Sequence, residues 1–286
     1  MQEEALRWVE ARVTPAGPIE LAHDKPWSRV WKVPLADDDA AWFKVCAPVQ
    51  AFEPRLTAAL HGRWPDRIVD VIAHDEERAW LLLADGGTPV GAYGNAPDAW
   101  AAALPLYAEL QRGEVEHVGA HLDGGVTDRR LERLPALYED MLRRELPLEP
   151  EECEVLRRFA RVFAELCREL EGPAVPETVQ HDDLHIGNVY AKDERMLILD
   201  WGDASMAHPF FSLARGGDEW PARLRRAYLE PWGPGLDETL ELALRVGSFA
   251  YVFGFLRLWD HLDETAREHY RAALPRMLRR AVASAA

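Results

Sequence analysis

The period of hydrophobic repetition changes once along this chain, near residue 86, and that change limits the folds open to it. Before it, short runs rich in Val, Trp and Phe are broken by polar turns, the pattern of strands; after it, apolar residues recur at helical spacing. The segments Ser28–Leu35 and Ala41–Cys46 flank the turn cluster Asp37-Asp38-Asp39 and predict a hairpin. Residues 50–62 set Phe52, Leu56, Ala59 and Leu60 on one helical side until Gly62 and Pro65 break the run. Two further strands, Ile68–Ala73 and Ala79–Ala84, are expected around the turn His74-Asp75-Glu76-Glu77. With a helix over residues 1–13, carried by Leu6, Val9 and Val13, the first part of the chain should run helix, strand, strand, helix, strand, strand.

From Pro97 onward helical runs are expected near 97–112, 127–145, 149–171, 218–229, 236–260 and 263–283. One interruption stands out. Between Val175 and Asp203 a polar loop precedes a hairpin whose apolar strand, Met196–Leu199, delivers Asp200 at its end. No repeat or low-complexity linker is visible, and Asp85-Gly86-Gly87 is the natural boundary between lobes of residues 1–86 and 87–286.

The composition narrows the partners. The chain has 286 residues with 33 Lys+Arg against 49 Asp+Glu, a formal charge of −16, and 48% hydrophobic residues. That is a globular composition, long enough for one large domain or two packed lobes. Such an acidic balance argues against nucleic acid, whose phosphates are held by clustered Lys and Arg. It leans toward a cationic small molecule, although net charge of this sign also serves solubility. Cys46, Cys153 and Cys167 are too scattered for a disulfide framework or a paired zinc site, and a reducing, cytoplasmic setting is expected. The N-terminal decapeptide is charged and shows no secretory pattern. Val246–Leu256, bounded by Arg245 and Arg257, is far shorter than the ~20 residues that span a bilayer and should be a buried helix, so no membrane is expected as a partner. Oligomeric state is not legible.

The densest chemistry lies in His181–Asn188, which packs two aspartates, two histidines, a glycine and an asparagine into eight residues. Loops this polar seldom serve packing alone, because each buried group needs a partner. Asp183 is a candidate base, and Asn188 with Asp200 are candidate oxygen ligands for Mg²⁺, which prefers one or two carboxylates with amide oxygens, phosphates and water. Phosphoryl transfer needs a base, metal positions and a lysine on the phosphates, held in place rather than reacting covalently. Plainer readings stand beside these: Asp183 and Asn188 as caps of a turn, Lys44 as an exposed strand lysine, Ser28 as a turn serine, Asp203 as a cap of the next segment, His185 as a brace and Asp182 as a solvated side chain.

The pair His181-Asp-Asp-Leu-His-Ile-Gly-Asn188 and Ile198-Leu-Asp-Trp-Gly-Asp203 resembles the H-x-D-x-x-x-x-N and D-x-x-D motifs of the aminoglycoside phosphotransferase and choline kinase-like family. The resemblance implies an α+β, two-lobed protein-kinase-like fold: a small antiparallel sheet with one inserted helix, then a larger, mostly helical lobe. It implies an ATP- and Mg²⁺-dependent transfer of the γ-phosphoryl group to a hydroxyl of a small molecule, such as an aminoglycoside or amino sugar. Carried across, Asp183 resembles the catalytic base and His181 the histidine that braces its loop. Asn188 and Asp200 resemble the magnesium ligands, with Asp203 as a further candidate. Lys44 is similar to the lysine on the nucleotide phosphates and Glu53 to the helix glutamate that orients it. Asp85 would lie at the hinge against the adenine, and Ser28 would close the turn Lys25-Pro-Trp-Ser28 over the phosphates.

The chain departs from the pattern in places. It has neither G-x-G-x-x-G nor G-x-x-x-x-G-K-[ST], which excludes a P-loop NTPase. Pro54 follows Glu53 and should place that glutamate at the helix start instead of inside it. Ser212 stands after His208-Pro-Phe-Phe where relatives often carry aspartate. Two other classes remain: a metal-dependent hydrolase built on the His-Asp cluster, and a kinase-like binding module without activity. Acidic residues for an amine-bearing acceptor are expected near Asp260, Asp263 and Glu264.

Overall fold

The computed structural model describes residues 1–94, 97–171, 175–215 and 220–285. In chain order the elements are α1 (Glu3–Glu10), β1 (Glu20–Lys25), β2 (Ser28–Pro34), β3 (Ala40–Cys46), α2 (Glu53–Arg63), β4 (Val71–Asp75), β5 (Trp80–Ala84), β6 (Thr88–Pro89) and α3 (Pro97–Gly113). Then follow α4 (Val118–Asp123), β7 (Thr127–Asp128), α5 (Leu134–Leu142), α6 (Pro150–Leu170), β8 (Thr178–Gln180), β9 (Val189–Lys192), β10 (Arg195–Ile198) and β11 (Ser205–Ala207). The chain closes with α7 (Ala222–Leu229), α8 (Asp237–Trp259), α9 (Glu264–Tyr270) and α10 (Ala273–Ala285). Contacts divide it into two units: residues 1–103, 124–126 and 185–202, and residues 104–123, 127–184 and 203–286. The lobes read from composition, 1–86 and 87–286, cut the chain once. The units are interleaved instead, because β9 and β10 join the first unit although most of the later chain belongs to the second.

The first unit is built on a five-stranded antiparallel sheet ordered β1-β2-β3-β5-β4. The sequence predicted four strands and missed β1. All six of its residues are exposed, so an edge strand of this kind carries no apolar alternation to read. The strands that were predicted owe their pairing to one row of side chains: Trp31 stands opposite Phe43, and Phe43 opposite Leu82. On that face α1 lays Trp8 against Phe43 and Trp80, with ring centroids 5.7 and 5.6 Å apart. Ala5, Val9, Val33 and Ala41 complete the buried cluster. Because successive strand side chains alternate, Lys44 leaves β3 on the face opposite Phe43.

In the same unit β9 and β10 form a hairpin whose turn residues Asp193 and Glu194 both have positive φ, 49° and 62°. That is the backbone of a type I′ turn, whose twist suits two-residue hairpins. β6 pairs with β9, and Gly87 makes the approach possible: with φ +85°, a Cβ there would lie 2.5 Å from the Ala191 carbonyl oxygen.

In the second unit, Tyr138, Phe163, Phe249 and Phe253 from α5, α6 and α8 form an aromatic core, with Tyr138–Phe163 and Phe163–Phe249 centroids 4.7 and 5.2 Å apart. The expected apolar run Val246–Leu256 lies within the 23-residue helix α8. Among the described residues α8 is one helix long and apolar enough to cross a membrane by length and composition, and 61% of its apolar window is buried inside the protein. The run expected near 127–145 is helical only over α5, and the run near 263–283 divides into α9 and α10. The run near 218–229 begins on residues outside those described and is helical from Ala222. β8, β11 and β7 form a small sheet, with β11 parallel to β7 and antiparallel to β8. Every residue of β8 and β11 is buried, and β8 runs directly into His181.

Beside this sheet, His208 is wholly buried and its Nδ1 accepts the Phe210 N–H at 3.3 Å. That bond needs a neutral ring, and burial lowers the His208 pKa to about 3. The folded value lies below the unfolded one near 6.5, so the unfolded chain binds the proton first. The stabilisation is complete above about pH 6.5 and is lost as pH falls toward 3. The full loss is on the order of 5 kcal/mol at 1.36 kcal/mol per pKa unit. His208→Asn should flatten this part of the acid-unfolding curve, measured by denaturant titration between pH 4 and 7; an unchanged slope would assign it to other groups.

Candidate active site

The first unit gathers three of the expected residues. Lys44 Nζ lies 2.7 Å from Glu53 Oε1 and 2.6 Å from Asp200 Oδ1. Glu53 is at the start of α2 with Pro54 directly after it, as the sequence predicts. This suits both residues, since proline is favoured in the first helical turn and a carboxylate is stabilised by the N-terminal dipole. The helix-start position still reaches Lys44. The ammonium and Glu53 are both buried, whereas half of the Asp200 side chain is exposed. Burial works against the Lys44 charge, but Asp200 and then Glu53 more than reverse this and hold it well above the usual lysine range. Burial raises the Glu53 carboxyl, with Lys44 opposing. Cys46, expected to form neither a disulfide framework nor a paired zinc site, donates its thiol to Glu53 Oε2 at 3.3 Å, and burial pushes that thiol up.

Asn188 is placed relative to Asp200 by backbone. The turn Ile186–Asn188 is closed by His185, whose Nδ1 accepts the Gly187 N–H at 3.0 Å, so His185 is a brace. Asn188 N–H donates to the His185 carbonyl at 2.8 Å, and the Leu199 N–H donates to the Asn188 carbonyl at 3.0 Å. The last bond fixes the residue before Asp200 to the amide-bearing one. Asp200 itself adopts φ +65°, a left-handed conformation that costs a non-glycine residue about 1–3 kcal/mol and commonly marks a functional position. A buried amide and a half-exposed carboxylate are oxygen groups of the kind that could hold Mg²⁺.

Ser28 and Asp85 lie elsewhere in this unit. Ser28 opens β2 after the turn Pro26-Trp27, is buried and stands opposite Cys46. Asp85 follows β5, and both of its carboxylate oxygens are engaged: Oδ2 by Trp42 Nε1 at 3.0 Å and Oδ1 by the Gly87 N–H at 2.7 Å. Lys192 Nζ donates to the Asp85 carbonyl at 2.8 Å. The expected hinge, Asp85–Gly87, therefore falls inside the first unit, held by side chains.

The second unit carries His181, Asp183 and Asp203. His181 is fully buried and its N–H donates to Tyr107 Oη at 3.0 Å. That hydroxyl lies 2.7 Å from Ser212 Oγ and accepts from Gln111 Nε2 at 3.1 Å, while Gln111 also donates to the Val179 carbonyl at 2.9 Å. Ser212, which stands where the resemblance implies an aspartate, thus reaches the loop through a tyrosine. Asp182, expected to be solvated, is instead buried and paired with the buried Arg129. The two are far apart in sequence, so nothing local announced the partner. Burial raises the Asp182 carboxyl, with Arg129 opposing. Asp183 Oδ1 pairs with Arg215 Nη1, which also donates to the Asp183 carbonyl at 3.1 Å. Asp203 Oδ1 lies 3.7 Å from Arg257 Nη2, and burial, then the charge of Arg129, brings Arg257 down to about 10.

Asp260 is held by Arg144 through two bonds of 2.6 and 2.9 Å, and Asp263 Oδ1 caps α9 by accepting the Ala266 N–H at 2.8 Å. Among the described residues no three His, Cys, Asp or Glu side chains gather as a metal centre.

No curated protein is matched by this chain. Among solved structures it is similar to a macrolide 2'-phosphotransferase from Brachybacterium faecium, with 20% identity and TM-score 0.62 over 95% of this chain and 97% of that one. It is similar to a choline kinase from Streptococcus pneumoniae, with 12% identity and TM-score 0.69 over 99% and 98%. It is also similar to APH(2")-IIia in its GDP and kanamycin complex, with 14% identity and TM-score 0.66 over 96% and 98%. These likenesses establish the protein-kinase-like fold. The sequence profile of the phosphotransferase enzyme family matches residues 67–242, which include both motifs, and the chain belongs to that family.

Proposed function

We propose that this chain transfers the γ-phosphoryl group of ATP, with Mg²⁺, to a hydroxyl of a small molecule. The observation that carries the reading is the buried Lys44 ammonium held jointly by Glu53 and Asp200. A buried charge costs free energy unless paired, and this one is paired both to a carboxylate that fixes it and to one suited to a metal. Lys44 would hold the nucleotide phosphates, with Glu53 keeping its ammonium in place. Asn188 and Asp200 would hold Mg²⁺, which when bound neutralises charge on the transferring phosphate. Asp183 would align the acceptor hydroxyl and take its proton late in a loose transition state. The backbone of Asp85–Gly87, rather than the Asp85 carboxylate, would face the base of the nucleotide, since that carboxylate is already engaged.

The acceptor is proposed to be a cationic polyol of the aminoglycoside or amino sugar class. The formal charge of −16 favours it, and solved neighbours include complexes with kanamycin and streptomycin. Calorimetric titration of ATP into the full chain tests the nucleotide half of the reading. Binding should require Mg²⁺ for full affinity and weaken about tenfold or more in Asp200→Ala, a change of about 1.4 kcal/mol. Absence of ATP binding by the wild-type chain would overturn it.

A further inference from the structure

Arg129 is a deeply buried charged side chain of the second unit, and its surroundings are specific. Its backbone N–H donates to the Met206 carbonyl at 2.9 Å, which fixes its origin at the edge of β11. Its guanidinium pairs with Asp182, the residue immediately before Asp183, and Nη1 reaches the Ala250 carbonyl of α8 at 3.5 Å. One helical turn further, α8 presents Gly254. A Cβ there would lie 2.9 Å from Nη1, 3.0 Å from Nη2 and 3.2 Å from Cζ. The guanidinium therefore lies against a notch in the helix that only glycine leaves open. Asp182, for its part, has φ +63°, a left-handed conformation that aspartate tolerates better than most residues but that is uncommon outside glycine.

A buried ion pair of this kind is poor evidence for stability, because desolvation offsets the attraction. Nη2 also has no hydrogen-bond partner among the described residues, which adds to that cost. What the pair does supply is position. The planar fork of an arginine, seated on a helix and aimed at one carboxylate, fixes both distance and angle, as a lysine would not.

We propose that Arg129, seated in the Gly254 notch of α8, is a positioning residue that holds Asp182 in its left-handed conformation and thereby aims Asp183. The kinetic part of this inference rests on Asp183 acting as the base; the structural part does not. Gly254→Ala is the gentlest probe. Alanine is the better helix former, so the substitution favours α8 itself while its methyl group displaces the guanidinium. In the full-length protein, amide hydrogen exchange across residues 178–184 should rise on the order of tenfold, with α8 as protected as in the wild type. Turnover should fall on the order of 10- to 100-fold with the nucleotide KM unchanged, the signature of a displaced base. Arg129→Lys keeps the charge and should recover only part of the rate lost in Arg129→Met.

Wild-type exchange in the loop of Gly254→Ala would overturn the proposal, as would Arg129→Met and Arg129→Lys with turnover equal to wild type. If the wild-type chain transfers no phosphate while the exchange change is present, the positioning device stands and the role given to Asp183 falls.

Discussion

Asp183→Ala should lower kcat on the order of 10²- to 10⁴-fold, the range that a positioned general base contributes, while nucleotide affinity stays within about twofold. The two effects separate because the groups assigned to the nucleotide, Lys44, Glu53 and Asp200, are held by one another. Stability should barely change. Arg215, one partner left behind, has a side chain that is 30% exposed and can be hydrated, and solvent-accessible pairs contribute about 0–1 kcal/mol. Asp183→Asn keeps the shape and removes the basicity, so it should lose nearly as much turnover as alanine. Steady-state kinetics with calorimetry of ATP binding would check this. A variant with wild-type turnover would mean that Asp183 serves only to hold Arg215 and its loop.

Lys44→Met should weaken Mg-ATP binding by about tenfold or more and destabilise the fold as well. Removing the ammonium leaves Glu53, which is 2% exposed, without its cation, and stranding a buried charge costs about 3–5 kcal/mol when it stays ionised. Glu53 has an escape, since burial already raises its pKa and it can take up a proton. That fixes the sign of the pH dependence. A folded pKa above the unfolded value of about 4.5 means that the native state binds the proton more tightly, so stability is greatest below that value and declines as pH rises through the raised one. The destabilisation of Lys44→Met should therefore be small at pH 4 and grow toward neutrality. The double variant Lys44→Met with Glu53→Gln should recover most of the neutral-pH stability without recovering ATP affinity. Urea unfolding at several pH values, paired with ATP titration, reads both. Equal loss at pH 4 and pH 8 would show that Glu53 is not the group left exposed to the change.

The parts of the fold that could be read from the sequence are those in which local pattern and long-range packing agree. β2 and β3 are short runs rich in Val, Trp and Phe with one face resting on α1, and Glu53-Pro54 is a helix-start signal that the fold uses as such. The two motifs were legible because their chemistry is local: His181 to Asn188 spans one loop, and Asp200 ends one short strand. What escaped was long-range. β1 takes its place at the sheet edge without burying any residue, so no apolar period marks it. The partners of the loop aspartates, Arg129, Arg215 and Arg257, come from distant segments, and an arginine in a sequence of many arginines carries no sign that it will be buried. Cys46 was discounted because scattered cysteines rule out disulfides, a test that says nothing about a thiol donating to a carboxylate. Tyr107 shows the same limit. The serine at 212 advertised a departure, but only the fold shows a phenol bridging the gap to the His181 amide.

The most direct measurement is phosphorylated product, detected by mass and matched by ADP release, from the purified chain with Mg-ATP and a panel of aminoglycosides, amino sugars, hexoses, choline and homoserine. Asp183→Ala serves as the blank. Phosphoryl transfer to a hydroxyl of at least one acceptor by the wild type, absent from Asp183→Ala, is the predicted result. Product formed at the same rate by both proteins, or no transfer to any of these acceptors by a chain that fails to bind Mg-ATP, would contradict the account.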